Sequence, residues 1–315
     1  MNRCALPAER EPLLPADSRT SAPILSFGTG RPVTCITAGL HGWETSAIAI
    51  AWELVDVLTK AAGEERLHSK IIVVPAGNPL GTVEMARHDP DSGLDLNRAF
   101  EVSGQSAGSP IVDTIRSLIA QTDFYIDIHS GSRGAYWPHV IVSRAEELEP
   151  AGRFGLHFAI VRNGSALTAT HCARRYGADS FCLEAGGGFY IDHRLVSEGV
   201  VGVCSFLASH SLLEASTRRT NLEQLYSYDC RAILSNTNEG LFYAVKTLGD
   251  YVSEGEEIGY RITLKSWLRE PVASPLPGQL IYIRTYPRVH EADTLCMLLS
   301  SGQEGTNEKV VNLFI

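Results

Sequence analysis

Pro32-Val33-Thr34-Cys35-Ile36-Thr37-Ala38-Gly39-Leu40-His41-Gly42-Trp43-Glu44 is the stretch from which the fold is read. Its first half, Pro32 to Thr37, has the β-branched content of a strand. Gly39 and Gly42 then let the backbone turn sharply. From Thr45 to Ala62 the residues Ile48, Trp52, Leu54, Val55 and Leu58 recur at near-helical spacing, which predicts an amphipathic helix. A strand, a tight turn and a helix form the opening of an α/β unit.

The same alternation continues outward. Lys70 to Pro75 reads as a buried strand stopped by the turn chemistry of Ala76-Gly77-Asn78-Pro79. Ser109 to Ala120 reads as a helix leading into a strand from Asp123 to Ile128. Val140-Ile141-Val142 and Ser180 to Leu183 are further strands, and His193 to Glu214 carries a long helical pattern. Strand and helix alternation predicts an α/β fold, a mixed and mostly parallel sheet flanked by helices. In such sheets functional groups gather at the carboxyl ends of strands.

After about residue 222 helical periodicity fades, and short strands separated by Gly, Pro and Asn predict a smaller, all-β C-terminal domain. The division expected is an N-terminal extension over 1–22, a catalytic domain over 23–221 and a β-rich domain over 222–315. The last part looks internally repeated, since the offset from Val252 to Ile258 equals that from Val289 to Leu295. That pattern resembles the sandwich of biotinyl and lipoyl carrier domains. Lys265 falls near the hairpin that carries the modified lysine there, but its neighbours Thr263-Leu264 and Ser266-Trp267 match neither signature, so a structural role is expected.

Composition narrows the function classes. A hydrophobic content of 44% and a charged content of 20% are ordinary for a soluble enzyme. A net charge of −9 without any basic stripe argues against a nucleic-acid partner. No run approaches the roughly 18 apolar residues of a membrane helix. Glu9, Arg10 and Glu11 stand where a signal peptide needs its apolar stretch. The seven cysteines show no CxxC pair and no disulfide framework. The expectation is a reduced, cytoplasmic protein without membrane attachment. No interface signature is legible, and the chain is compatible with a homo-oligomer.

Three short pieces carry the chemistry. His41 and Glu44 are three residues apart, so one turn can aim both at a single ion. His129 follows the apolar run Phe124-Tyr125-Ile126, and Glu184 follows Phe181-Cys182-Leu183. All three pieces fall at predicted strand ends. Two histidines, a ligand carboxylate and a spare carboxylate are the components of a hydrolytic zinc centre with one position open for water. Asp127 shares the strand face of His129 and is expected to orient it from behind. Between the pieces, Asn97 and Arg98 offer planar donors suited to a carboxylate. Arg87 could polarise a scissile carbonyl, and Asp95 could hold this loop by hydrogen bonds.

Taken together, HGxE at 41–44, an arginine followed by Asp95-Leu96-Asn97-Arg98 and Phe100, DxH at 127–129 and LExG at 183–186 resemble the succinylglutamate desuccinylase and aspartoacylase family, of zinc carboxypeptidase-like fold. The resemblance covers nearly the whole chain from about residue 23. It implies one zinc ion held by His41, Glu44 and His129. It makes Arg87 the carbonyl-polarising arginine, Asn97 and Arg98 the binders of the substrate α-carboxylate, and Glu184 the general base. Trp43 departs from the family pattern and is expected to border a more apolar pocket, and Gly186-Gly187-Gly188 is expected to make its loop unusually free.

The sequence therefore reads as a zinc-dependent hydrolase that removes the acyl group from a small N-acyl amino acid. Two alternatives stay beside it, a metallocarboxypeptidase acting on small peptides and a non-catalytic zinc-binding module. Arg133, Arg174 and Arg175 fit side-chain selectors for an acidic substrate and surface charge equally well.

Overall fold

The computed structural model describes residues 9–12, 21–100, 108–162, 165–215, 225–226, 231–299 and 311–314. Most of the predicted N-terminal extension and the predicted boundary at 221 and 222 lie outside them. The first part of the chain runs β1 (Glu9–Pro12), β2 (Pro23–Phe27), β3 (Val33–Ala38), α1 (Thr45–Gly63), β4 (Lys70–Val74), α2 (Pro79–Val83), α3 (Pro110–Ile119), β5 (Phe124–Gly131), β6 (Gly134–Val142), α4 (Leu148–Gly152), β7 (Ala159–Val161), α5 (Ala169–Arg175), β8 (Asp179–Gly187) and α6 (His193–Ser209). A short 3-10 turn spans Leu96–Arg98. The remainder is all β: β9 (Leu225–Tyr226), β10 (Arg231–Ser235), β11 (Gly240–Ala244), β12 (Tyr251–Val252), β13 (Glu257–Thr263), β14 (Arg269–Ala273), β15 (Gly278–Arg284), β16 (Arg288–Val289), β17 (Thr294–Leu299) and β18 (Val311–Phe314).

The main sheet has the order β1-β2-β4-β3-β5-β8-β6-β15-β17-β10-β18. Its centre, β4-β3-β5-β8, is parallel, and β2 and β6 join it antiparallel. The sheet is mixed, as expected. The chain passes from β3 to β4 on one side and returns through α2 and α3 to β5 on the other side of β3. A crevice therefore opens beyond the carboxyl ends of β3 and β5, where the winding reverses.

Strand alternation divides the core between two layers of helices. Ile71, Val73, Ile126, Ile128, Phe181 and Leu183 pack with α1 and α6 on one face. Ile72, Val74 and Tyr125 pack with α3 and α5 on the other. Because side chains alternate, Asp127 and His129 share the face of Tyr125, and Cys182 and Glu184 share a face opposite Phe181 and Leu183. The charged groups thus lie on the α3/α5 side of the sheet while their neighbours in sequence build the core behind it.

The C-terminal strands are continuous with this sheet. β15 pairs antiparallel with β6, Tyr282 opposite Tyr136 and Ile283 opposite Ala135. A separate four-stranded sheet, β14-β13-β11-β16, forms the smaller all-β part. The two halves of the sequence repeat fill different cores. Val252 and Ile258 pack with Leu280 and Leu298, whereas Val289 and Leu295 pack with Phe242 and Val272. Lys265 is exposed in the turn between β13 and β14.

Candidate metal centre

The loop after β3 places His41 and Glu44 by close packing against α2. A Cβ on Gly42 would lie 2.0 Å from the Gly81 carbonyl carbon, so only glycine lets the loop approach so closely. Glu44 occupies the N-cap position of α1, yet its side chain caps nothing there. Its carboxylate is spent elsewhere. Oε1 lies 2.7 Å from His41 Nδ1 and Oε2 lies 2.9 Å from His129 Nδ1, while the Ser130 backbone N–H donates to Oε2 at 3.1 Å. One donor atom from each of His41, Glu44 and His129 lies within 4.8 Å of the others, and all three residues are buried.

The far nitrogens of both rings are backed by carboxylates. His41 Nε2 lies 3.2 Å from Asp95 Oδ1, and His129 Nε2 lies 2.9 Å from Asp127 Oδ2. A carboxylate behind Nε2 favours the tautomer that carries its proton there, leaving the Nδ1 lone pair to face inward. Asp127 is itself fixed by Thr37, whose hydroxyl donates to Oδ1 at 2.8 Å. Two inward imidazole nitrogens, a carboxylate and a carboxylate behind each ring make a donor set that fits a divalent ion.

Charges within the cluster hold one another. Burial alone would raise the proton affinity of Glu44, but the two imidazoles outweigh it and hold the carboxyl far below the usual range. Burial would lower that of both histidines, and the carboxylates around them raise it instead. Asp95 is held low against burial by His41 and Arg87. Glu184 goes the other way: burial raises its proton affinity, partly opposed by His129 and Arg162. Its Oε2 is buried and has no hydrogen-bond partner among the described residues.

All seven predicted site residues line a single cavity of about 320 Å³: His41, Glu44, Arg87, Asn97, Arg98, His129 and Glu184. Arg87 is steered by Asp95, to which Nε donates at 3.2 Å and Nη2 at 2.9 Å. Arg98 is exposed, with Nη1 donating to the Asn97 carbonyl at 2.8 Å. Asn97, expected to bind a carboxylate, lines the cavity, and its amide also meets protein groups. Its Oδ1 accepts from the Ala169 N–H at 3.0 Å, which turns Nδ2 toward His129 Nε2 at 2.9 Å and Asp127 at 3.5 Å. Both ends of this amide are used in joining α5 to the histidine support.

Three further expectations are corrected. Trp43 does not line the cavity; its ring faces Phe189, with centroids 6.1 Å apart, and the Arg133 guanidinium at 5.9 Å. The glycine loop is not free. Ser46 and Thr45 bond to Gly187 N and Gly188 O, Ser130 bonds to Gly187 O at 3.1 Å, and a Cβ on Gly188 would strike Ser132 O at 2.3 Å. Of the three candidate selectors, Arg174 lines the cavity, whereas Arg133 lies under Trp43 and Arg175 is exposed. Sequence reasoning missed Arg162, whose position just after the apolar run Phe158-Ala159-Ile160-Val161 marked a strand end. It also missed Tyr282, Thr294 and Met297, which bring the C-terminal strands into the cavity wall.

A family model for the succinylglutamate desuccinylase/aspartoacylase catalytic domain matches residues 31–210. The chain belongs to that family. Among solved structures it is similar to the succinylglutamate desuccinylase/aspartoacylase of Rhodobacter sphaeroides, at a TM-score of 0.75 and 21% identity over 94% of each chain. The product-bound ectoine utilization protein EutE (DoeB) from Ruegeria pomeroyi gives 0.74 and 18%, over 92% of this chain and 98% of that one. A metallo-carboxypeptidase from Burkholderia cenocepacia gives 0.51 and 18% over 60% of this chain and 61% of its own. No curated protein matches the chain. The fold is therefore carboxypeptidase-like, and the family is one of hydrolytic deacylases.

Proposed function

We propose that the protein is a zinc-dependent amidohydrolase that removes the acyl group from an N-acyl amino acid. The observation that carries the reading is Glu184: a half-buried residue whose buried Oε2 has no hydrogen-bond partner among the described residues, in the same cavity as His41, Glu44, His129 and Arg87. Two histidines and one carboxylate are a zinc donor set with room for a fourth ligand. When bound, zinc would supply Lewis acidity and an acidified water to this cavity.

The remaining chemistry belongs to the side chains. Arg98 is free to take the substrate α-carboxylate in bidentate fashion. Arg87, held by Asp95, donates to the amide oxygen as negative charge builds on it. Glu184 has a proton affinity raised by burial, suited to accept a proton from the attacking water and then deliver it to the leaving nitrogen. Asp127 holds His129 in its ring orientation.

The wall formed by Tyr282, Thr294 and Met297 favours a small substrate over a peptide, which is why a deacylase is preferred to a carboxypeptidase. The same reading includes a catalytic domain over 23–221, a β-rich domain over 222–315 and a reduced cytoplasmic setting, in keeping with the free cysteines Cys35, Cys172, Cys182, Cys204 and Cys296. Among the described residues no helix is long and apolar enough to cross a membrane.

The test is a panel of N-acyl amino acids and short peptides with zinc supplied. Turnover of the former, abolished in Glu184→Gln while bound zinc is retained, is the expected result. Cleavage of peptides only would overturn the choice of substrate, and absence of stoichiometric zinc would overturn the mechanism.

A further inference from the structure

The face of the sheet that carries the metal ligands also carries a tyrosine hydroxyl deep in the core. Thr37 on β3 stands opposite Asp127 on β5, and Cys35 stands opposite Tyr125, so Thr37, Asp127 and Tyr125 share the α3/α5 side. Each of the three is at most 1% exposed. The core around Tyr125 is otherwise apolar, with Cys35, Leu40, Val74 and Cys172 in the same cluster. A phenylalanine would fill that space without burying a hydroxyl.

The hydroxyl is used in a chain that leads to the site. Tyr125 Oη lies 2.6 Å from Thr37 Oγ1, which lies 2.8 Å from Asp127 Oδ1. An ionised carboxylate only accepts, so the Thr37 proton goes to Asp127, and a Thr37 lone pair takes the Tyr125 proton. Burial raises the proton affinity of Tyr125 well above the ordinary tyrosine range, so this donor stays a donor. On the other side of the carboxylate, Oδ2 lies 2.9 Å from His129 Nε2. The chain ends at an imidazole whose Nδ1 faces Glu44 at 2.9 Å. His41 is backed differently: its carboxylate, Asp95, is answered by Arg87, whose side chain is 32% exposed, so solvent can share in that support. Behind His129 no solvent reaches, and only the two hydroxyls hold the free end of Asp127.

We propose that Thr37 and Tyr125 are positioning residues of the metal centre: their hydroxyls, acting in series, fix the Asp127 carboxylate and through it the ring orientation and tautomer of His129. This goes beyond the deacylase reading, since it is indifferent to the substrate, and it rests on the proposed ligand set His41, Glu44 and His129. Loss of a group directly behind a ligand imidazole weakens metal binding about 10- to 100-fold; a hydroxyl one bond further back should cost about three- to tenfold.

Two measurements read the chain without turnover: zinc affinity by chelator competition, and the His129 Nε2–H proton resonance of the metal-free protein. Thr37→Val keeps the shape and removes the hydroxyl. It should weaken zinc about three- to tenfold and move the resonance upfield as the bond to Asp127 lengthens, and Thr37→Ser should restore both. Tyr125→Phe leaves the Thr37 bond to Asp127 in place, so it should give the same changes at about twofold, and it carries the test if Thr37→Val does not fold. The double variant should hold zinc no more weakly than Thr37→Val alone, because Tyr125 reaches the ring only through Thr37. Additive losses in the double variant would overturn the proposal. So would a lowered Tm with both readings unmoved, the result expected of hydroxyls that serve the core alone. A downfield resonance with tighter zinc would also overturn it, showing that Thr37 only draws charge from Asp127. If the wild-type protein bound no divalent ion the proposed ligand set would fail, while the resonance would still decide whether the chain reaches His129.

Discussion

Asp95 stands between the two halves of the proposed catalytic apparatus, and replacing it should separate them. One oxygen, Oδ1, faces His41 Nε2 at 3.2 Å and also accepts from Asn97 N at 3.1 Å; the other, Oδ2, takes both nitrogens of Arg87. In Asp95→Asn the amide oxygen can keep the first set, but its NH2 then points at a guanidinium that can only donate. In Asp95→Ala both sets are lost. Loss of the carboxylate behind a ligand imidazole typically weakens metal binding 10- to 100-fold, or about 1.4 to 2.7 kcal/mol. The lost charge-assisted bonds to Arg87 would nominally cost about 1.5 to 3 kcal/mol, and partial exposure of that side chain reduces this to about 1 to 2. The assay is competition of each variant with a fluorescent zinc chelator, alongside kcat/KM. Asp95→Asn should hold zinc within about threefold of wild type while kcat/KM falls by about one order of magnitude. Asp95→Ala should lose both. Equal weakening of zinc in the two variants, or full kcat/KM in Asp95→Asn, would refute the division of labour between the two oxygens.

Gly42→Ala should give little soluble protein and no zinc site, because its Cβ has nowhere to go but into the Gly81–Thr82 backbone; a well-folded variant with normal zinc content, judged by circular dichroism and metal analysis, would contradict this. Phe206→Ala removes a ring packed tilted against Phe154 and edge-to-face with Phe181 and Phe124, at centroid distances of 4.6, 5.0 and 5.5 Å. It should cost about 3 to 5 kcal/mol and lower Tm on the order of 10 °C by calorimetry. Stability should also fall at alkaline pH. Burial pushes the thiols of Cys204 to about 11 and Cys296 to about 12, and the Tyr282 hydroxyl to about 12. The unfolded chain releases these protons from about pH 9 to 10, where the folded chain still holds them, so stability is complete below pH 9 and declines above it. A urea midpoint that stays constant from pH 8 to 10.5 would show that these groups do not contribute.

How much of this was legible in the sequence depended on where polarity and periodicity agreed. Helix α1, expected over Thr45 to Ala62, runs Thr45–Gly63, because its apolar stripe faces one layer throughout. The strands carrying the site were expected to stop too soon. β5 was read to Ile128 and continues to Gly131, since His129 and Ser130 look like a loop until Glu44 is seen to satisfy both. β6 was read only over Val140 to Val142; Pro138 and the register shift between Tyr136 and His139 hid the rest. The helix expected to reach Glu214 ends at Ser209. There Ser211 turns the backbone to a φ of 58°, and Leu213, which extended the apolar pattern, is used in a bridge to Leu67.

The site was legible wherever a motif's spacing and its geometry are the same thing, and less so where residues adjacent in sequence point in different directions. Asn97 and Arg98 are the clearest instance. They are consecutive, chemically alike in offering planar donors, and fitted the same carboxylate on paper. They lie in a 3-10 turn, where three residues complete a revolution and neighbours point about 120° apart. One side chain is therefore driven under His129 and the other out into the cavity. Trp43, between His41 and Glu44, is turned away by the same logic. The opposite wall was invisible for a different reason. Arg162, Tyr282 and Met297 reach the cavity only because β6 separates β8 from β7 on one hand and β15 on the other, a register that no local pattern encodes. The proposed metal site in this chain is thus set by short segments, whereas the opposite wall of the cavity is set by the sheet.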